Sequence, residues 1–102
     1  MSSLHLVNKS PFERNSLDSC LRLAAKGSAV LFFEDGVIGA MQNTKHSDAV
    51  ANAMSDHKFY VLGPDIKARG LNDTNVINGI KVIDYDGFVD LTTEHDTVQS
   101  WL

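Results

Sequence analysis

The chain predicts an α/β fold, a three-layer open sheet, mostly parallel, whose reading admits a flavodoxin-like topology. Three observations predict it. The apolar runs Ala29–Phe33 and Phe59–Leu62 are unbroken by polar residues, the pattern of strands covered on both faces. Segments with helical spacing fall between such runs, so strands and helices alternate along the chain. The 102 residues, 43% apolar and 22% charged, suffice for one core, so residues 1–102 are expected to form a single domain.

Leu4-His5-Leu6-Val7, closed by Asn8-Lys9, reads as the first strand. Ser10-Pro11-Phe12-Glu13 is a helix-start signature: Ser10 as N-cap, Pro11 where no N–H is needed, and Glu13 placed to close a capping box. Asn15 or Ser16 offers a second start. Leu17, Leu21 and Ala24 recur at i, i+4 and i+7 along one face, and Gly27 stops the helix. Glu34-Asp35-Gly36 ends the strand at 28–33, and Val37–Met41, broken by Gly39, reads as a helical turn or loop. Ser47–Met54, with its alanines and Val50 at helical spacing, reads as a short helix. Gly63-Pro64 closes the strand at 59–62, and Asp65–Gly70 is a brief helix with Gly70 as its stop. Ile80–Asp84 reads as the last strand, and Tyr85–His95 as a helix with Phe88 and Leu91 on one face.

Thirteen acidic residues against nine basic ones give a net charge of −4. That balance argues against direct nucleic-acid binding, which draws its affinity from clustered cations, and against an anionic membrane surface. The longest apolar stretch, Ala29–Phe33, is far short of the roughly 20 residues of a membrane span. Met1–Lys9 lacks the features of a secretory signal, so the expected compartment is the cytoplasm. A single cysteine, Cys20, excludes an intrachain disulfide.

Few residues offer chemistry. Gly36 and Gly39 match neither the dinucleotide fingerprint nor the P-loop, and no cofactor is expected. His5, His46, His57 and His95 stand at no ligand spacing, so no metal site is expected. His95, between Glu94 and Asp96, is the histidine best placed to titrate near neutral pH, although a surface helix end explains it as well. No G-x-S-x-G elbow is present. Glu34 and Asp35 follow a strand, where open α/β sheets bind ligands, and read either as a seat for a partner's basic group or as solvated surface. Phe59, Tyr60 and Phe88 serve an apolar pocket or core packing equally. Cys20 is either a packed hydrophobe or a reactive thiol, and neither Arg22 nor Lys26 is clearly on its face to activate it.

Several blocks in order resemble the DsrH/TusB family across essentially the full chain: Leu4–Phe12, Phe32–Val37, Tyr60–Gly70, Asp84–Val89 and Thr97–Leu102. The resemblance implies the small α/β fold shared by DsrE, DsrF and DsrH subunits (TusD, TusC and TusB in tRNA thiolation). It further implies a cytoplasmic heterohexamer that passes persulfide sulfur to a DsrC/TusE-like acceptor, in sulfur oxidation or in 2-thiolation of the tRNA wobble uridine. The implied partners are DsrE/TusD-like and DsrF/TusC-like subunits and the acceptor protein; the chain alone remains open to self-association. Cys20 matches the cysteine typical of the DsrH side of the family, which implies a catalytic, sulfur-carrying residue and the sulfur-oxidation branch. Such a transfer is thiol exchange and requires no metal or nucleotide. The indispensable cysteine of these complexes belongs to the DsrE/TusD subunit, which leaves a second reading: a non-catalytic docking subunit in which Cys20 is a packed thiol. Burial of the Cys20 sulfur discriminates between the two.

Overall fold

Strand β2 (Ala29–Phe32) is buried at all four residues, as its uninterrupted apolar run requires, because it lies at the middle of a five-stranded sheet. A computed structural model describes residues 3–12 and 16–101. In them β1 (Ser3–Val7), β2, β3 (Lys58–Leu62), β4 (Lys81–Ile83) and β5 (Thr97–Trp101) take the order β4-β3-β2-β1-β5. Every neighbouring pair is parallel. This differs from the flavodoxin-like order 2-1-3-4-5.

From β1 to β4 the chain steps across the sheet in one direction. Right-handed crossovers therefore place α1 (Ser16–Leu23), a 3-10 helix (Glu34–Ala40), α2 (Ser47–Ala53) and α3 (Gly63–Ala68) on one face. After β4 the direction reverses, and α4 (Tyr85–Glu94) covers the other face alone. The core divides accordingly. Val7, Leu17, Cys20, Val30, Phe32, Val50, Phe59, Val61 and Ile66 pack together on the crowded side. Leu4, Leu6, Ala29, Leu31 and Leu91 pack on the α4 side, bordered by half-buried Phe33, Tyr60, Ile83 and Phe88.

Several boundaries correct the sequence expectations. Helix α1 begins at Ser16, the second start, and not at Pro11. The Ser10 hydroxyl instead accepts the Phe12 N–H at 3.2 Å and caps a turn; Glu13 and Asn15 lie outside the described residues. The helix ends at Leu23, before Gly27, whose φ of +90° turns the chain while its N–H donates to the Asp56 carbonyl at 2.6 Å. Gly63 and Pro64 do more than close β3, since they form the first turn of α3, where proline loses no hydrogen bond. A short 3-10 helix at Asp73–Asn75 was not expected.

The largest difference is β5, because Ile80–Asp84 is not the last strand. Thr97–Ser100 are exposed and Trp101 is half-buried, so no apolar run announces this edge strand. Tertiary contacts seat it. The hydroxyls of Ser3 and Thr97 lie 2.8 Å apart, and the Trp101 indole Nε1–H donates to Nδ1 of buried His5 at 3.0 Å. That bond requires a neutral His5 ring. Burial, with His57 adding like-charge repulsion, lowers the His5 pKa below its ordinary 6.5.

Where β2 ends, the Phe33 N–H donates to the Val7 carbonyl at 3.1 Å. The following turn passes so close to β1 that a Cβ at Gly36 would collide with that same carbonyl. Gly36→Ala should therefore cost about 2 kcal/mol or more, read as a lower urea midpoint at unchanged m-value. Gly70→Ala meets no neighbouring atom and should cost only the left-handed backbone penalty at φ +68°, about 1 kcal/mol. For His5, the unfolded chain takes up a proton near 6.5 and the folded chain resists it, so stability should decline as pH falls below about 6.5. His5→Gln keeps an acceptor for Trp101 without a titrating ring, and urea titrations from pH 7.5 to 5 should show that slope reduced.

Candidate functional site

The carboxyl ends of β1, β2 and β3 form the rim where an open parallel sheet binds ligands. In this chain the rim is tied together by its own side chains. Glu34 has φ +49°, costly for a residue with a Cβ, and its N–H donates to the Asp65 carboxylate at 2.6 Å. Asn8 Nδ2 donates to Glu34 Oε1 at 3.3 Å. Arg69 Nε donates to Asp35 at 2.9 Å, and its guanidinium lies 4.0 Å from Asp65, one helical turn earlier. The acidic pair that the sequence offers to a partner's basic group is thus engaged within the molecule. Asn8, Asp65 and Arg69 were not singled out from sequence. Only the i, i+4 spacing of Asp65 and Arg69 gave a local sign of pairing; the rest comes from strand register.

Cys20 lies on the inner face of α1, fully buried in the core cluster that also holds Val7, Leu17, Val30 and Val37. Desolvation raises its thiol pKa from 9.0 to about 12. Neither cation near it in sequence offsets this. Lys26 is on the surface, 3.7 Å from Asp56, and Arg22 is exposed. In the resting fold the thiol is protonated and sealed, the opposite of the exposed, cation-flanked setting that activates cysteines.

The remaining sequence candidates are scattered. Phe59 stacks on Phe32 in the core, ring centroids 5.9 Å apart, whereas Tyr60, Phe33 and Phe88 border α4 on the other face. The three aromatics considered for a pocket thus fall on both sides of the sheet. His95 Nδ1 lies 2.7 Å from the Leu91 carbonyl and closes the last turn of α4. His46 stands edge-on to Phe12 at 5.1 Å, and His5 and His57 are buried. Among the described residues no three His, Cys, Asp or Glu side chains are grouped to hold a metal. No described helix is long and apolar enough to cross a membrane.

Sequence reasoning also missed the exposed apolar side chains. Tyr85 and Val89 on α4 are 58% and 59% accessible, and Val98 on β5 is 45% accessible. Tyr85 and Val89 occupy one side of α4. Asp90 and Glu94 occupy its other side, where they line a hollow with Tyr60 and Lys81 toward β3 and β4. The apolar side of α4 therefore faces β1 and β5.

Comparison with known proteins agrees with this architecture. The ychN protein from E. coli superposes with a TM-score of 0.82 at 16% identity, covering 98% of this chain and 99% of that one. A protein of unknown function, MTH1491 from Methanobacterium thermoautotrophicum, gives 0.73 at 15% identity, covering 96% and 97%. At such identities the likeness is one of fold. Protein TusB of Pectobacterium parmentieri is 36% identical over 99 residues, 96% of this chain and 99% of its own. Protein TusB of Escherichia coli K12 is 35% identical over 98 residues, again 96% and 99%. The family model described as DsrH like protein matches residues 9–98. The chain belongs to the DsrH-like family of sulfur-relay subunits that its sequence resembles.

Proposed function

We propose that this chain, as a single domain over residues 1–102, serves a cytoplasmic sulfur relay as its docking and scaffold subunit, alongside DsrE/TusD-like and DsrF/TusC-like chains and a DsrC/TusE-like acceptor. The near-full-length likeness to proteins named TusB supports the tRNA wobble-uridine thiolation branch over the sulfur-oxidation branch that Cys20 suggests. In the relay step, an acceptor thiolate attacks the outer sulfur of a donor persulfide. The S–S bond breaks, the donor leaves as a thiolate and the acceptor becomes the persulfide, so the transfer is redox-neutral. Such a step needs a reachable thiolate at both ends.

The burial of Cys20 carries the docking reading. A carrier role for Cys20 would require α1 to lift from β1 and β2, breaking apart the packing around Leu17. The exposed apolar groups on α4 and β5 are by contrast what a subunit interface uses.

Three measurements test this. Raising a thiol pKa from 9.0 to about 12 lowers the thiolate fraction about a thousandfold. Iodoacetamide should accordingly modify Cys20 in the native chain far more slowly than in urea at the same pH. Intact mass spectrometry of the assembled complex, incubated with a persulfide donor, should place the reducible sulfur on a partner subunit. Cys20→Ala should relay normally, with a packing cost of about 1 kcal/mol. A sulfur adduct on this chain that vanishes in Cys20→Ala would establish the carrier role instead.

A further inference from the structure

The face left to α4 carries a charge pattern that the rest of the chain lacks. From Asp84 to Leu102 there are five acidic residues, Asp84, Asp86, Asp90, Glu94 and Asp96, and no lysine or arginine, whereas the first 83 residues hold nine cations and eight acids. On α4 the helical repeat sets Asp86, Asp90 and Glu94 in one row at i, i+4 and i+8. Tyr85 and Val89 form the adjoining row, on the side facing β5. On the sheet below, Val98 is paired with buried Leu4, so it points to the α4 face. It is exposed there, because a single helix does not reach far enough to cover the edge strand.

We infer that the outer side of α4, with Val98 of β5, docks a partner subunit of the relay through an apolar surface rimmed by lysine or arginine, an inference that rests on the docking role proposed above. Charge complementarity selects the occupant. An isologous contact between two copies of this chain would set the Asp86–Asp90–Glu94 row of one against a like row of the other, which repels. A cation-rimmed partner is attracted to the same row and covers Tyr85, Val89 and Val98 in one contact. Lys81 shares the hollow beneath Asp90 and Glu94 and lies on the sheet side of that row, so the acids remain open to an incoming surface. The exposed leucine of the crowded face, Leu23 on α1, lies on the opposite side of the sheet and forms no part of this contact.

The test co-expresses the chain with the DsrE/TusD-like and DsrF/TusC-like subunits of its own source and measures recovery of the complex and its affinity. Tyr85→Ser with Val89→Ser, and separately Asp86→Lys with Asp90→Lys and Glu94→Lys, should each weaken assembly at least tenfold. Circular dichroism of the isolated chain should be unchanged and its urea midpoint only slightly lowered, since all five side chains are exposed and only Asp86→Lys gives up a first-turn acid of α4. Leu23→Ser should assemble as wild type, and added salt should weaken the wild-type complex. Assembly that survives both α4 variants within twofold, or that is lost in Leu23→Ser alone, overturns the inference and leaves the relay reading standing. A wild-type homodimer that Tyr85→Ser with Val89→Ser dissolves also overturns it, in favour of a second copy. Failure of the wild-type chain to join either subunit removes the relay reading itself, and the inference with it.

Discussion

Parallel strands joined by right-handed crossovers leave the helices little freedom in this chain, and a single reversal of direction after β4 sets everything else. Three connections must lie on one face of the sheet and one on the other. The crowded face gains a thick core that contains Cys20. Among the described residues the other face has only α4, and α4 leaves apolar groups uncovered on its own outer side and on β5. Burial of the thiol and exposure of the α4 ridge are two results of one topological constraint.

The constraint also explains the rim. With β1, β2 and β3 side by side, the turns after them converge, and the Val7 carbonyl, the missing side chain of Gly36 and the Asp65 carboxylate hold Glu34 in a costly backbone state. Strained residues often mark active sites. Here the carboxylates beside the strain pair with Asn8 and Arg69, so the rim works as a brace between loops. Surface ion pairs such as Asp35–Arg69 contribute at most about 1 kcal/mol each.

Much of this was legible in the sequence. The runs at 29–33 and 59–62 announced the central strands because burial on both faces demands continuous apolar residues. Phe88 and Leu91 announced the inner side of α4. The start of α1 was ambiguous because Ser10-Pro11 and Asn15-Ser16 both carry start signals, and a capped turn at Ser10 satisfies the first of them without a helix. Strand β5 was hidden because an edge strand needs no apolar pattern; its place depends on His5 and Ser3, more than ninety residues away in the chain. The same distance problem concealed the Asn8, Asp65 and Arg69 network. The family position of Cys20 was readable, but its burial depends on how α1 seats against β1 and β2, which spacing alone does not fix.

The pairing of β1 with β5 has a consequence for how the molecule is made. Strand β1 is completed by a strand more than ninety residues further along the chain, with Ser3 opposite Thr97 and Val7 opposite Trp101. Contacts of such separation close late. Until then β1 presents a bare edge flanked by Leu4, Leu6 and Val7, a template for pairing with other chains. A chain in which β5 is not yet made or has been lost therefore carries its aggregation hazard at β1, and the pairing of β5 removes it.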